Sequence, residues 1–313
     1  MTGSLSRRDL LAAGALAAVA GRAAVARPTV KNAFEISLAQ WSYHKGFFGQ
    51  KGVEKLEPLQ FAAIAKKVHG IAAVEYVNQF YKAKKNDDGF LKDLKKVADD
   101  NGVTSVLIMC DGEGNLGDPD DKKRSIAVDN HLRWLEWSKA LGCHSIRVNA
   151  ASTWSKGFEE TQKLAADGLR KLSEKAKLFN QNVIVENHGG LSSHGAWLAG
   201  VMKMVGLPNC GTLPDFGNFR VGKIGGFDKD EYDRYQGIDE LMPFAKGVSA
   251  KSHDFDATGN ETKTDYRKMM QLVLKKHKYA GFVGIEYEGS KLSEKDGIDA
   301  TKKLLEAVRK EMA

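Results

Sequence analysis

From residue 34 to the C-terminal end, short β-branched or apolar runs alternate eight times with longer segments whose apolar residues recur every three or four positions. The short runs predict strands at Phe34–Gln40, Ala72–Val77, Val103–Met109, Ser145–Asn149, Val183–Asn187, Gly211–Asp215, Val248–Ser252 and Phe282–Tyr287. The longer segments predict helices around 57–68, 88–100, 121–141, 159–180, 194–205, 236–245, 264–277 and 294–312. Strands separated by helices pair in parallel, and eight such units predict an α/β chain closed into a (β/α)8 barrel, the TIM-barrel architecture. The competing arrangement, an open doubly wound sheet, normally carries G-x-G-x-x-G after its first strand, and none stands there. The 313 residues are 42% hydrophobic and include only 6 prolines, with no Pro- or Ser-rich linker, so the barrel is expected to be one domain.

The alternation does not reach the first 26 residues. Ser6-Arg7-Arg8-Asp9-Leu10-Leu11 opens an Ala-rich apolar run that ends in Ala24-Val25-Ala26. This order resembles a bacterial twin-arginine export signal, with cleavage after residue 26, a mature domain over 27–313 and a periplasmic destination as expectations. The run is too short to span a bilayer comfortably, so no stable membrane insertion is expected once it is removed. Losing Arg7, Arg8, Arg22 and Asp9 lowers the net charge from +7 to +5. The remaining lysines are interspersed with acids on helix-like segments, which argues against a nucleic-acid partner. Cys110, Cys143 and Cys210 form no zinc or disulfide pattern and are expected to be buried thiols.

In a parallel barrel the functional loops follow the C-terminal ends of the strands. The fifth strand ends Glu186-Asn187-His188-Gly189-Gly190, with Glu186 and His188 on one face. The sixth ends Asp215-Phe216-Gly217-Asn218, the seventh Lys251-Ser252-His253-Asp254, and the eighth Glu286-Tyr287-Glu288. A buried glutamate without a partner is costly, so a cation is the economical companion for these acids. Hard oxygen donors suit Mn²⁺ or Mg²⁺ first, with Co²⁺ or Zn²⁺ as alternatives.

The order of these strand-end residues resembles the xylose isomerase-like TIM barrels, the sugar phosphate isomerases and epimerases, over essentially the whole mature chain. The resemblance implies a divalent metal held by Glu186, Asp215, one residue of the Lys251/His253 pair, and Glu286, with His253 as the expected strand-seven ligand. Where the family often reads His-x-Lys-Asp on that strand, Lys251-Ser252-His253-Asp254 has the two side chains exchanged. Either His253 reaches the metal from one pleat further along or Lys251 occupies the position. The usual Asp-x-x-His of strand six is Asp215-x-x-Asn218 here.

The expected reaction is proton transfer on a small carbohydrate. A C–H beside a carbonyl needs a nearby base and a stabilised enediolate. Glu186 and Glu286 are the candidate bases, while His188 and Lys251 are candidates for moving a proton or stabilising negative charge. Glu75, Asn149, Asn218 and the aromatic Trp41 are candidate substrate contacts, joined more weakly by Asn78, Asp111, Glu113, Arg147 and Trp154. A metal-dependent isomerase or epimerase on a free sugar is the leading expectation. A lyase cleaving 3-keto-glycosides through the same enolate is the alternative. Apurinic endonucleases, which share the superfamily, need a His-rich zinc cluster, and the 8 histidines here do not gather at strand ends. The glycine-rich loop after strand five suits either a phosphate at a helix start or plain serine capping, and 216–234 is a candidate lid. A homo-oligomer is compatible with the sequence.

Overall fold

The computed structural model describes residues 33–222 and 230–312; the expected export signal lies outside them, as do 223–229 of the candidate lid and the side chain of Trp154. Eight parallel strands form one sheet: β1 (Glu35–Ala39), β2 (Ala73–Val77), β3 (Thr104–Met109), β4 (Ser145–Val148), β5 (Asn182–Glu186), β6 (Cys210–Leu213), β7 (Val248–Ser252) and β8 (Phe282–Tyr287). Their order is β6-β5-β4-β3-β2-β1-β8-β7. Between β6 and β7 the ladder shrinks to two parallel bridges, Thr212↔Ala245 and Asp215↔Ser249. Pro214 contributes no N–H there, but its carbonyl accepts from Ser249 N (2.9 Å), and Phe216 N donates to Ser249 O (3.0 Å), which closes the ring. The expected barrel is thus observed, with strand ends shifted by a residue or two.

Helices pack their apolar stripes on the outside of this ring. The helix Phe158–Lys177 buries Ala165, Leu169, Leu172 and Ala176, one face at helical spacing. Asp87, Asp120, Asp233 and Asp265 cap helix starts by accepting backbone N–H bonds. Gly142 and Gly206, both left-handed, stop two helices and turn the chain toward β4 and β6. Two expected helices are interrupted. The segment 121–141 breaks at His131, whose N–H bonds Val128 O and whose Nδ1 lies 2.7 Å from Ala127 O. The segment 264–277 is α-helical over Tyr266–Met270 and widens to a π-helix over Gln271–Lys276. Trp134 and Trp137 are fully buried beneath these helices, and all three cysteines are free and buried, as expected.

Inside the ring, a small apolar cluster contains Ala39, Val77, Leu107, Met109, Ile184 and Leu213. Branched apolar residues usually fill such an interior. Here β4 to β8 add Arg147, Glu186, Ser249, Lys251 and Glu286, all buried, and Asp215 follows β6. Alternation along each strand puts these side chains on the inward face, beside the apolar residues that β1, β3, β5 and β6 add.

Candidate active site

Glu186, Asp215 and Glu286 arrive from three strand ends and each offers one oxygen, all within 4.8 Å of one another. Asp215 is oriented from three sides. Its Oδ1 accepts from Gly217 N and Asn218 N, both at 2.8 Å, and its Oδ2 lies 2.6 Å from Ser249 Oγ. The same hydroxyl is 3.1 Å from Glu286 Oε2, so its single proton bridges the two acids one at a time. Asn187 locks the backbone: Asp215 N donates to its Oδ1 at 2.7 Å, and its amide donates to Asp215 O at 3.0 Å.

Two cations enter the cluster. Lys251 is 2% exposed, with Nζ 3.0 Å from Glu286 Oε1 and 3.3 Å from Glu288 Oε2, and it donates to Asn218 Oδ1 at 3.3 Å. Arg147 Nε lies 2.8 Å from Glu186 Oε2, while its Nη1 donates to Asp111 Oδ1 at 2.7 Å. The Arg147–Glu186 approach is close but poorly aligned for a hydrogen bond, and both Nε and Oε2 are left without a hydrogen-bond partner. Asn218 Nδ2 holds the other oxygen of Glu186 at 2.9 Å.

Burial, and after it the neighbouring acids, push Glu186 and Asp215 up to about 7, against the opposing pull of Arg147 and Lys251. Burial works against the charged form of Lys251 as well, yet Glu286, Asp215 and Glu288 hold it firmly protonated. Asp111 is half-buried, which works against its charge, but Arg147 keeps its carboxyl well below the usual range. When all are ionised, five carboxylates (Asp111, Glu186, Asp215, Glu286, Glu288) face two cations (Arg147, Lys251), an excess of three negative charges that the raised pKa values of Glu186 and Asp215 relieve by protonation. That excess, the hard oxygen donors and the unpartnered Oε2 of Glu186 fit a divalent ion.

His253 is not in this group. It follows the end of β7, its backbone N–H donates to Glu261 Oε1 at 3.2 Å, and Lys251, one pleat earlier, stands among the acids instead. Of the two arrangements open from sequence, the structure thus places Lys251 at the cluster. His188 is solvent-accessible at the mouth, and partial desolvation by the surrounding wall, followed by the nearby Arg147, lowers its basicity. Asn149 donates to Asp111 Oδ1 at 2.7 Å, beside the acids. Trp41 donates its indole N–H to Glu288 and stacks on His44 at 5.1 Å, forming an apolar rim with Phe48 and Phe80. Asn78 and Glu113 bond each other at 3.0 Å and belong to the wall behind Asp111.

Glu75 does not reach the mouth. It is 1% exposed inside the barrel, accepts from Ser37 Oγ at 2.6 Å, and has no partner for Oε2. A side chain at Gly284 would place Cβ 2.5 Å from Glu75 Oε1, so the missing side chain makes its room. Burial raises its pKa to about 8 despite the Ser37 bond. In the glycine-rich loop, His188 N and Gly189 N donate to Ser192 and Ser193 Oγ, and Gly190 N donates to Arg220 O. Serine capping, the second of the two sequence readings, is what forms, and these N–H groups are not available to a phosphate.

Sequence reasoning missed Ser249, although it shares a strand face with Lys251, and it missed that Arg147 pairs with Glu186. An arginine in the middle of a short barrel strand was the available signal, because such a cation is buried only with an acid beside it.

A model of the xylose isomerase-like TIM barrels matches residues 62–311. The chain belongs to this family. A search of the curated proteins found no match. Among solved structures, this xylose isomerase-like barrel is similar to a D-tagatose 3-epimerase-like protein at a TM-score of 0.67 and 16% identity, covering 90% of this chain and 100% of the other. It is similar to the 3-keto-D-glucoside 4-epimerase of E. coli at 0.64 and 17%, covering 87% and 99%. It is also similar to the IOLI protein, solved with a zinc atom, at 0.68 and 15%, covering 89% and 99%. At these identities the likeness establishes the fold.

Proposed function

We propose that this barrel is a divalent-metal-dependent sugar isomerase or epimerase that moves a proton at a carbon beside a carbonyl. The observation that carries the reading is the convergence of Glu186, Asp215 and Glu286, three buried acids from separate strands, around an uncompensated negative charge. The likeness to a tagatose-epimerase-like protein and to a keto-glucoside epimerase supports a carbohydrate substrate. Glu186, Asp215 and Glu286 would hold the ion, which when bound polarises a carbonyl and its neighbouring hydroxyl. Mn²⁺ and Mg²⁺ suit an all-oxygen set best, and the zinc-bearing neighbour keeps Zn²⁺ in the comparison.

The protein's own groups divide the remaining work. Glu186 and Glu286 come from different strands, and each has a second oxygen able to take a proton from carbon or return it. Arg147 and Asn218 fix the Glu186 carboxylate, while Ser249 and Lys251 fix Glu286. Lys251, held charged, also supplies a donor for oxygen as it gains negative charge. His188 and Trp41 border the mouth where the sugar enters. Export by the twin-arginine route, with the ion loaded before passage, completes the reading.

The test is incubation of the Mn²⁺-loaded protein in D₂O with a panel of keto- and aldo-sugars and oxidised glycosides. Deuterium should enter a rearranged sugar, and Glu286→Gln should slow that exchange on the order of 10²–10⁴-fold. Release of an aglycone instead would assign the lyase reaction. Absence of exchange and cleavage across the panel would refute both.

A further inference from the structure

Ser249 touches two of the three clustered acids. Its side chain is 1% exposed, and its Oγ lies 2.6 Å from Asp215 Oδ2 and 3.1 Å from Glu286 Oε2. The backbone fixes it there from both sides. Ser249 N donates to Pro214 O across the β6–β7 seam, Phe216 N donates to Ser249 O, and on the other flank β7 pairs Ser249 with Gly284, two residues before Glu286.

A hydroxyl has one proton and two lone pairs. With both acids ionised, Ser249 can give its proton to only one of them at a time, and among the described residues no N–H donates to its oxygen. Its lone pairs are therefore left facing the acids. In an octahedral all-oxygen shell with bonds of about 2.1 Å, neighbouring oxygens lie about 3.0 Å apart. The two Ser249 distances fall on either side of that separation. The other polar side chains at the cluster are committed elsewhere. Arg147 and Lys251 are cations with no lone pair to offer, and Asn218 spends its amide on Glu186 and its Oδ1 on Lys251. Neither His188 nor His253 joins the three acids.

We infer that Ser249 Oγ is the fourth protein ligand of the ion, a neutral oxygen that keeps the set all-oxygen and tilts the site toward hard ions such as Mn²⁺ and Mg²⁺ and away from Zn²⁺. The inference rests on the proposed metal site and adds the residue that sets its preference. Bound in this way, the hydroxyl keeps its proton for one of the two acids while a lone pair faces the ion, so the ligand adds no charge to the site.

A loss of Mn²⁺ affinity in Ser249→Ala would not separate a ligand from a neighbour, because removing a group that only orients a ligand also costs about 10–100-fold. Changing the softness of the ligand does separate them. Ser249→Cys, nearly the same size, should weaken Mn²⁺ and strengthen Cd²⁺ binding, so that the Cd²⁺/Mn²⁺ affinity ratio from calorimetry rises about tenfold or more over wild type. The Cd²⁺-loaded variant should also show a thiolate-to-Cd²⁺ absorption band in the ultraviolet. Wild type should lack it, since Cys110, Cys143 and Cys210 are buried and none of them joins the cluster. In Ser249→Ala, which covers the case of a Cys variant that does not fold, a water should take the vacated position, and water-proton relaxation per bound Mn²⁺ should rise by about one inner-sphere water. An unchanged affinity ratio, absence of the thiolate band, or unchanged relaxation in Ser249→Ala would each leave Ser249 as a hydrogen-bond partner of the acids and overturn the inference, with the proposed metal site intact. A wild type that binds neither Mn²⁺ nor Cd²⁺ would overturn both.

Discussion

Lys251→Met separates the two jobs the ammonium has in this site, because methionine keeps most of the side-chain volume and removes the charge. In the metal-free protein the change strips Glu286 and Glu288 of a cation 3.0 and 3.3 Å away and raises the excess of buried negative charge. Removing one partner of a buried pair costs about 3–5 kcal/mol. At about 2 °C per kcal/mol for a chain of this length, the melting temperature in EDTA should fall by about 6–10 °C. A divalent ion should narrow this gap by about 1.4 kcal/mol. Wild type at a hundredfold excess over its Kd gains about 2.7 kcal/mol. The variant lacks the competing ammonium and should bind the ion about tenfold more tightly, so the same concentration stabilises it by about 4.1 kcal/mol. Thermal unfolding in EDTA and in MnCl₂, with calorimetric titration of Mn²⁺, measures both effects. A variant as stable as wild type in EDTA would refute the buried-pair argument. Weaker Mn²⁺ binding in the variant would show that Lys251 helps to assemble the ion site, against its reading as the ion's competitor.

Protons should compete with the ion: burial raises Glu186 and Asp215 to about 7, the ion binds their charged forms, and Mn²⁺ affinity should therefore fall as pH drops through about 7 and level off above it. Titrations between pH 5 and 9 check this, and a flat profile would contradict it. Glu75 predicts a separate stability effect. Its folded-state pKa of about 8 lies above the ordinary 4.5, so its favourable contribution is complete below 4.5 and is lost as pH rises through 8. Glu75→Gln, which mimics the protonated acid, should match wild type at pH 4 and exceed it above pH 8 by on the order of 5 kcal/mol in EDTA, read by urea unfolding.

Much of this site was legible because a barrel strand reads its own geometry aloud. Alternation put Glu186 and His188, Lys251 and His253, and Glu286 and Glu288 on shared faces, and the strand ends named the rim. What alternation does not carry is depth. Lys251 and His253 have the same parity, so the sequence alone leaves both facing inward, yet β7 ends at Ser252 and only Lys251 is held within the ring. Glu75 was misplaced at the mouth for the same reason: its room depends on Gly284 across β1, a contact between strands far apart in sequence. The pairing of Arg147 with Glu186 likewise depends on β4 lying beside β5 at a particular register, Arg147 opposite Ile184.

That register explains why the acids can be buried at all. Arg147 comes from the strand next to Glu186, and Lys251 lies directly opposite Glu286 in the β7–β8 ladder. Glu186 and Glu286 are thus each served by a cation from a neighbouring strand, while Asp215, which follows the strand whose ladder to β7 is broken, is served by backbone N–H groups and Ser249. The interrupted β6–β7 seam is where Gly217 and Asn218 turn their N–H groups on the carboxylate, which a continued strand would have spent on its neighbour. Weak pairing at the seam and strong orientation of Asp215 are therefore one structural choice, and restoring a regular ladder there would remove the donors that hold the acid in place.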